Sequence, residues 1–267
     1  MDSRPIGVFD SGIGGTSVLK HLIRLMPNED FIYLGDTKNV PYGTKSKEEI
    51  IEYSLKCARF LNSKDVKQIV VACNTASNTA KKELTNEYPN IQLVDLVKPI
   101  LELVIKSSIN HTIGVIATEA TLRNIDFKKK IEDSAITKQI TIVKKAGPKF
   151  VSLVENNELD SPRAKDIIKE YLSPMLNQSM DVLVLGCTHY QFLQQQISSF
   201  APNVKIIDPS QMTAEETLLK IKSLNLSNKV DRNGKVDFYV TKESEEFSQL
   251  ASSLIGFNCS KPLLVAI

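Results

Sequence analysis

The chain has little of three features that would place it in a broad class of proteins. Its 33 lysines and arginines nearly balance its 31 aspartates and glutamates, for a net charge of +2. Nucleic acid and anionic membrane surfaces are therefore not expected as partners. No apolar run approaches the length that spans a bilayer. The first five residues, MDSRP, carry an acid and a proline where a secretory signal needs apolar residues, so we expect a cytoplasmic protein.

Cysteine is also scarce, with four in 267 residues. This number does not suggest a disulfide framework in a chain of this length, and a reducing compartment would keep the side chains as thiols. Cys57 lies on the apolar face of a predicted helix, and Cys259 lies near the end of the chain. Both are expected to be structural. Cys73 and Cys187 each end an apolar run, and we expect the reactivity of these two thiols to indicate the function.

Short β-branched runs alternate with longer segments of helical period, in a chain that is 42% hydrophobic and 24% charged. This pattern predicts a globular α/β fold with largely parallel sheets. Strands are predicted at residues 6–9, 31–34, 68–72, 91–94, 112–116, 140–143, 181–185, 205–207 and 236–240. Helices are predicted at residues 16–25, 47–62, 76–86, 98–107, 124–132, 162–177, 191–200 and 212–223, with a last helix that places residues 247, 250, 251 and 254 on one face.

An internal repeat is visible when the predicted strands are aligned. Gly7 corresponds to Gly114, Cys73 to Cys187 and Asp95 to Asp208, each pair separated by about 110 residues. We infer a duplication that gives two similar α/β domains with a pseudo-symmetric arrangement. The first would comprise residues 1–97 plus 208–267, and the second residues 98–207. Because ligands of open α/β sheets bind beyond the carboxyl ends of the strands, we expect the active site in the cleft between the domains.

The two strand-end cysteines suit one kind of chemistry. Two opposed thiols can remove a proton from one face of a carbon and return a proton to the other face. Cys73 precedes a predicted helix, whose dipole is expected to lower the pKa of its thiol toward the optimum for proton transfer. Cys187 is followed by His189, and the two side chains would share a face if the strand continued.

The segment DSGIGG, residues 10–15, follows a strand and opens a helix, so its N–H groups are able to hold an anionic group. It lacks the Gly-Lys-Ser/Thr of a phosphate-binding loop, and Ser17 stands where a dinucleotide fingerprint needs its third glycine. A tight turn that needs glycine only for its backbone geometry is the alternative. Asp10, at the strand end, favours the functional interpretation.

Other chemistry is compatible with parts of this pattern. A zinc site at Cys73, Cys187 and His189 would need a fourth ligand and closer spacing, so no metal is expected. A cysteine-dependent hydrolase would use Cys187 and His189 and leave the second thiol without a role. A non-catalytic amino-acid-binding protein could also form from two facing α/β units.

Four strings, in this order along the chain, resemble the glutamate racemase family, within the wider group of cofactor-independent aspartate and glutamate racemases. They are GVFDSGIGG at residues 7–15, PYG at 41–43, ACNTA at 72–76 and LGCTHY at 185–190. The resemblance covers most of the chain. Thr118, Thr121 and Glu155 fit weaker family patterns.

This resemblance implies interconversion of L- and D-glutamate without pyridoxal phosphate, metal or nucleotide, with an aspartate racemase as the alternative. Cys73 and Cys187 would be the paired acid and base, Asp10 would assist Cys73, and His189 would assist Cys187. The implied substrate-binding residues are Asp10, Ser11, Pro41, Tyr42, Gly43, Asn74, Thr75, Thr118, Thr121, Glu155, Thr188 and His189. The implied product is D-glutamate for bacterial peptidoglycan, and family members are often homodimers.

Overall fold

Strands and helices alternate along the chain in the structure, a computed structural model that describes residues 2–96, 100–123, 140–228, 230, 232–242 and 246–267. The strands are β1 (Ile6–Asp10), β2 (Phe31–Gly35), β3 (Gln68–Val71), β4 (Gln92–Asp95), β5 (Thr112–Ala117), β6 (Thr141–Ala146), β7 (Val182–Gly186), β8 (Lys205–Ile207), β9 (Val236–Val240) and β10 (Leu263–Leu264). Every predicted strand is confirmed, with bounds that differ by three residues or fewer.

The helices connect the strands and cover the sheets. They are α1 (Thr16–Leu25), α2 (Lys47–Ser63), α3 (Asn74–Thr79), α4 (Lys81–Glu87), α5 (Ile100–Ser107), α6 (Glu119–Arg123), α7 (Pro148–Glu155), α8 (Pro162–Leu176), α9 (Gln194–Phe200), α10 (Pro209–Ser223) and α11 (Phe247–Ile255), with 3-10 turns at Tyr42–Thr44 and Thr188–Leu193. The helix predicted at 124–132 lies outside the described residues.

Two parallel sheets contain all the described strands. The first has six strands in the order β10-β9-β2-β1-β3-β4, and the second has four in the order β6-β5-β7-β8. The segment β2-β1-β3-β4 therefore has the same order as the whole second sheet, which confirms the expected α/β fold and its internal duplication. β9 and β10 extend the first sheet. The domain limits at residues 97 and 207 stay a prediction.

Local sequence accounts for several helix ends. Ser46 accepts a hydrogen bond from the Glu49 N–H, and the Glu49 carboxylate accepts one from the Ser46 N–H, so α2 begins in a capping box. The side chain of Asp208 accepts from the N–H of Ser210 at 2.7 Å and starts α10. Gly256, at a φ of 76°, ends α11 in the left-handed conformation.

The helix predicted at 76–86 is wrong as a single element, because the chain forms α3 and α4 with a break at Ala80. Ser77 donates to the Val71 carbonyl at 3.0 Å, and Asn78 donates to the Asn74 carbonyl at 2.8 Å. Such side-chain hydrogen bonds compete with regular helical ones. The helix predicted at 191–200 is also corrected, since its first turn belongs to a 3-10 turn that begins at Thr188.

Candidate active site

The strand order creates one switch point in each sheet. In the first sheet, the connection after β1 leads to β2 on one side and the connection after β3 leads to β4 on the other, and β5 and β7 have the same arrangement in the second sheet. Asp10 ends β1 and Cys73 follows β3, so both lie at the first switch point. Thr118 follows β5 and Cys187 follows β7, at the second. Ligands of such sheets bind at these points.

The two switch points face each other in space. The Thr188 hydroxyl, after β7, donates to Asp10 Oδ1 at 3.2 Å. His189 packs against Gly14 so closely that a Cβ at Gly14 would collide with His189 Nδ1 and lie 2.6 Å from Thr188 Oγ1. The glycine-rich loop after β1 therefore lies against the segment that carries Cys187. This contact gives a physical reason for glycine at position 14 beyond the geometry of a turn.

Cys73 is enclosed in the cleft, with only 4% of its surface exposed. Its thiol donates to the Ser11 hydroxyl at 3.8 Å. Burial raises the pKa of the Cys73 thiol well above its usual range, and the nearby Asp10 carboxylate adds to this effect, while the Ala76 N–H opposes it. The expectation of a lowered pKa is therefore wrong. The N-terminus of α3 provides that N–H, but it does not compensate for the loss of water.

Asp10 lies at the base of the cleft and is completely buried. Its Oδ2 atom accepts from the Gly12 N–H at 2.8 Å. Burial raises the pKa of the Asp10 carboxyl, although the positive charge of His189 and the N–H groups of Gly12 and Gly15 act in the opposite direction. Asp10 thus has hydrogen-bond partners in the glycine-rich loop and, through Thr188, in the opposite half of the cleft.

Cys187, His189 and Glu155 form a chain of contacts on the other side. His189 Nδ1 lies 3.9 Å from Cys187 Sγ, and His189 Nε2 lies 2.7 Å from Glu155 Oε1. Burial favours neutral imidazole, but the hydrogen bonds and charges of Cys187 and Glu155 raise the pKa of His189 well above its usual value. Burial also opposes ionisation of Glu155, but the hydrogen bond and charge of His189, with the Ile13 N–H, lower the pKa of its carboxyl. The pair is therefore imidazolium and carboxylate.

The contact between Cys187 and His189 was predicted from strand alternation, but a turn forms it instead of a continued strand. The strand ends at Gly186, and a 3-10 turn begins at Thr188. The Tyr190 N–H closes this turn on the Cys187 carbonyl at 3.0 Å. The histidine is thus brought beside the thiol by the turn.

Three threonines form a hydroxyl cluster where α3 meets α6. Thr75 Oγ1 lies 3.0 Å from Thr118 Oγ1 and 3.5 Å from Thr121 Oγ1, and the Thr118 hydroxyl donates to Thr121 Oγ1 at 2.9 Å. All three are buried. Gly43 packs on this cluster, since a Cβ there would lie 2.6 Å from Thr118 Cβ. Thr75 and Gly43 belong to the first half of the chain, so the cluster links the two walls of the cleft.

Asn74 lies beside this cluster at the start of α3, with 4% of its surface exposed. Its side-chain Nδ2 has no hydrogen-bond partner among the residues that the structure describes. A buried donor without a partner is costly unless a ligand supplies an acceptor. Asn74 is thus suited to bind a carboxylate.

The PYG segment at 41–43 contributes to the site mainly through Gly43. The Tyr42 hydroxyl donates to Asp36 Oδ2 at 2.7 Å, so it is engaged in the protein interior. Asp36, which was not among the expected site residues, also accepts from Asn39 and, at 2.6 Å, from the Thr241 hydroxyl. Its position directly after a buried strand is a signal that sequence analysis could have used.

The described part of the chain contains no cluster of three or more His, Cys, Asp or Glu side chains arranged to hold a metal ion. Cys57 Sγ lies 3.8 Å from the Tyr42 hydroxyl, Cys259 lies outside the cleft contacts described above, and all four cysteines are free thiols. None of the helices that the structure describes is long and apolar enough to cross a membrane.

A family model described as Asp/Glu/Hydantoin racemase matches residues 6–217. The chain belongs to the Asp/Glu/Hydantoin racemase family. The matched region includes both strand-end cysteines and every residue of the cleft named above except Thr241.

Curated members of this family align over nearly the whole chain. The glutamate racemase of Persephonella marina is 40% identical over 251 residues, which are 94% of this chain and 93% of that protein. The glutamate racemase of Thermoanaerobacter pseudethanolicus is 40% identical and covers 100% of this chain and 99% of its own length.

Solved structures agree with the sequence matches. The glutamate racemase of Francisella tularensis, in complex with D-glutamate, has a TM-score of 0.91 at 34% identity and covers 100% of this chain and 98% of that chain. The aspartate racemase of Picrophilus torridus has a TM-score of 0.57 at 19% identity, with 83% and 94% covered. The second similarity shows the fold alone.

Proposed function

We propose that the protein is a cofactor-independent isomerase that interconverts L- and D-glutamate by proton transfer between the α-carbon and two thiols. The observation that carries this proposal is the placement of Cys73 and Cys187 at two facing switch points, each with its own polar partners. The relatives and solved structures named as glutamate racemases support glutamate as the substrate.

In the proposed reaction, one cysteine enters as thiolate and removes the α-proton, which leaves a planar carbanion. The other cysteine enters as neutral thiol and donates its proton to the opposite face of that carbon. The C–H bond that breaks is replaced by a new one, and each turnover leaves the two thiols in exchanged protonation states. Return to the starting state requires the reverse reaction or exchange with solvent.

The two thiols have different assistants in this proposal. His189, held as imidazolium by Glu155, places a positive charge and a hydrogen-bond donor beside Cys187. Asp10 and Ser11 lie on the Cys73 side. Because burial and Asp10 raise the pKa of Cys73, its thiolate needs a compensating positive charge, and the ammonium group of the substrate is suited to provide it.

The polar groups around the cleft are suited to hold the two carboxylates of glutamate. The donor at Asn74 has no partner among the described residues, the hydroxyls of Thr75, Thr118 and Thr121 form a cluster beside it, and the hydroxyl of Thr188 lies beside Asp10. Donors that face the α-carboxylate would stabilise the extra negative charge that develops when the α-proton leaves. The burial of this region would also keep water from the carbanion.

A cysteine-dependent hydrolase is the second candidate, because Cys187, His189 and Glu155 are arranged like a nucleophile, a base and an orienting carboxylate. That activity would need Cys187 but not Cys73. The variant Cys73→Ser therefore separates the two proposals, since it should abolish racemisation and leave a hydrolase active.

The racemase proposal is tested by polarimetry on the pure protein with L-glutamate, D-glutamate and L-aspartate in parallel. We expect both glutamate enantiomers to lose optical rotation and aspartate to change far more slowly. Cys73→Ser and Cys187→Ser should each be inactive, whereas Cys57→Ser is the matched control and should stay active. Optical rotation that remains constant with both glutamate enantiomers would refute the proposal.

We further propose that the product serves peptidoglycan synthesis in a bacterial cytoplasm, and that the protein forms a homodimer. Both statements rest on resemblance to the family. Expression of the gene in a bacterium that requires external D-glutamate tests the first, because the gene should remove that requirement. Light scattering of the pure protein tests the second, and a monomer mass at micromolar concentration would contradict it.

A further inference from the structure

Tyr33 lies on β2, directly beneath the glycine-rich loop, and is completely buried. Its hydroxyl donates to the Gly12 carbonyl at 2.8 Å. A Cβ at Gly15 would lie 3.0 Å from the same hydroxyl. The hydroxyl therefore lies inside the curve of the loop, between its first and last glycines, where it supports the loop from below.

The loop above Tyr33 contacts the partners of both thiols. The Gly12 N–H donates to the Asp10 carboxylate at 2.8 Å, and the Ser11 hydroxyl accepts from the Cys73 thiol at 3.8 Å. Gly14 lies against His189, the partner of Cys187. A displacement of this loop would thus change the surroundings of both reacting groups at once.

The ring of Tyr33 is fixed by the C-terminal part of the chain. Its centroid lies 5.8 Å from that of Phe238, on β9, and 6.4 Å from that of Phe247, at the start of α11. Aromatic pairs at these separations pack favourably, and the burial of the rings restricts their motion. The hydroxyl is therefore held at a defined height below the loop.

Glycines at positions 12, 14 and 15 leave Ile13, which is buried in the core, as the one large apolar side chain of the loop. Loss of the Tyr33 hydroxyl would leave the buried Gly12 carbonyl without this donor, and the loop would shift to find another partner. We infer that Tyr33 is a positioning residue, which holds the loop so that Asp10 and Ser11 face Cys73 while Gly14 admits His189. This inference rests on the proposed racemase function.

The test compares Tyr33→Phe with Tyr171→Phe. Tyr171 is also a buried tyrosine whose hydroxyl bonds a backbone group, the Lys149 N–H at 3.3 Å, but it lies on α8. Both variants remove the hydroxyl of a buried tyrosine and keep the ring, so a purely structural effect should be similar in the two. For each variant, kcat and KM are measured with L- and D-glutamate, and iodoacetamide alkylation of Cys73 is followed by peptide mass spectrometry.

For Tyr33→Phe we expect kcat to fall at least tenfold with both enantiomers and Cys73 to be alkylated at least threefold faster, because the loop no longer covers it. Tyr171→Phe should match the wild type within twofold in both measurements. Alkylation of Cys73 in Tyr33→Phe at the rate of the control would overturn the inference, whatever the activity. Because alkylation needs no turnover, it remains decisive if the wild type fails to racemise glutamate.

Phe238→Leu provides a second test if Tyr33→Phe does not fold. It keeps the hydroxyl and loosens the support of the ring. We expect a smaller change in the same direction, with alkylation of Cys73 about twofold faster than in the wild type. An unchanged alkylation rate in a folded Phe238→Leu protein would contradict the inference.

Discussion

The ion pair between His189 and Glu155 allows a quantitative prediction for Glu155→Gln. The two side chains are 2.7 Å apart, and their exposed fractions are 3% and 31%. At an effective dielectric constant of 20, Coulomb's law sets an upper bound of about 6 kcal/mol for such a pair. Solvent at Glu155 and the desolvation of both groups reduce the net effect to about 1–2 kcal/mol. Loss of the Glu155 carboxylate should therefore lower the pKa of His189.

The direction of the effect follows from the two pKa shifts. In the folded wild type the pKa of His189 is raised, so its contribution to stability is complete below the unfolded value of about 6.5 and is lost as pH rises through the folded value. The pKa of Glu155 is lowered, so its contribution is present above about pH 4.3 and is lost as pH falls through the folded value. Glu155→Gln should therefore destabilise the protein most between about pH 4.3 and 6.5.

The pH dependence of activity should also show the lowered pKa of His189 in Glu155→Gln. Without the carboxylate, burial favours neutral imidazole, so the pKa of His189 falls and the imidazolium is lost at a lower pH than in the wild type. We expect kcat of Glu155→Gln to decline several-fold between pH 6 and 8, where that of the wild type remains constant. Melting temperatures give the stability effect, about 2–8 °C at pH 6. The chain has three histidines, so NMR titration of their ring protons gives the pKa directly.

Glu158→Gln is the matched control, since Glu158 pairs with the exposed Arg163 at 2.9 Å. An exposed pair contributes little, so we expect less than about 0.5 kcal/mol and an unchanged pH profile. If the pH profiles of Glu155→Gln and Glu158→Gln were the same between pH 6 and 8, the role assigned to the ion pair would be refuted.

Four other substitutions test separate contacts of the cleft. Gly14→Ala should reduce kcat by at least a hundredfold, because its methyl group collides with His189; activity within tenfold of wild type would contradict this packing. Thr118→Val should raise KM for glutamate about tenfold by breaking the cluster with Thr75, and calorimetric Kd values that match the wild type would argue against it. The equilibrium constant between enantiomers is one, so Asp10→Asn and His189→Asn must each change kcat/KM equally in both directions. The two variants should differ in the rate at which each enantiomer exchanges its α-proton with D2O. We expect exchange to be faster for one enantiomer in Asp10→Asn and for the other in His189→Asn. The same preference in both variants would contradict the assignment of a different assisting residue to each thiol.

Sequence patterns were sufficient for the features that depend on local order. Alternating apolar runs indicated the strands, and the repeat placed Cys73 and Cys187 at corresponding strand ends. The pairing of Cys187 with His189 was also anticipated, because two residues separated by one position stay close in either a strand or a tight turn. These inferences need only the chain direction and the side-chain period.

Features that depend on the approach of distant segments were not predicted. The pKa of Cys73 depends on how completely tertiary packing excludes water from the thiol, and that burial outweighs the helix dipole. Tyr33 lies within the buried strand β2, and Asp36 follows the end of that strand. Tertiary packing determines their hydrogen-bond partners, which are the Gly12 carbonyl for Tyr33 and the Thr241 hydroxyl for Asp36. A hydrogen bond of this kind leaves no periodic signal in the sequence.

Racemisation in D2O tests the use of two opposed thiols most directly. Protiated L-glutamate is incubated with the pure protein, and α-carbon deuterium is measured by mass spectrometry in each enantiomer at early times. We expect the D-glutamate formed to carry deuterium while the remaining L-glutamate stays protiated, because a different thiol delivers the new hydrogen. D-glutamate that keeps its original α-proton, or full racemase activity in Cys73→Ser or Cys187→Ser, would contradict the two-thiol mechanism.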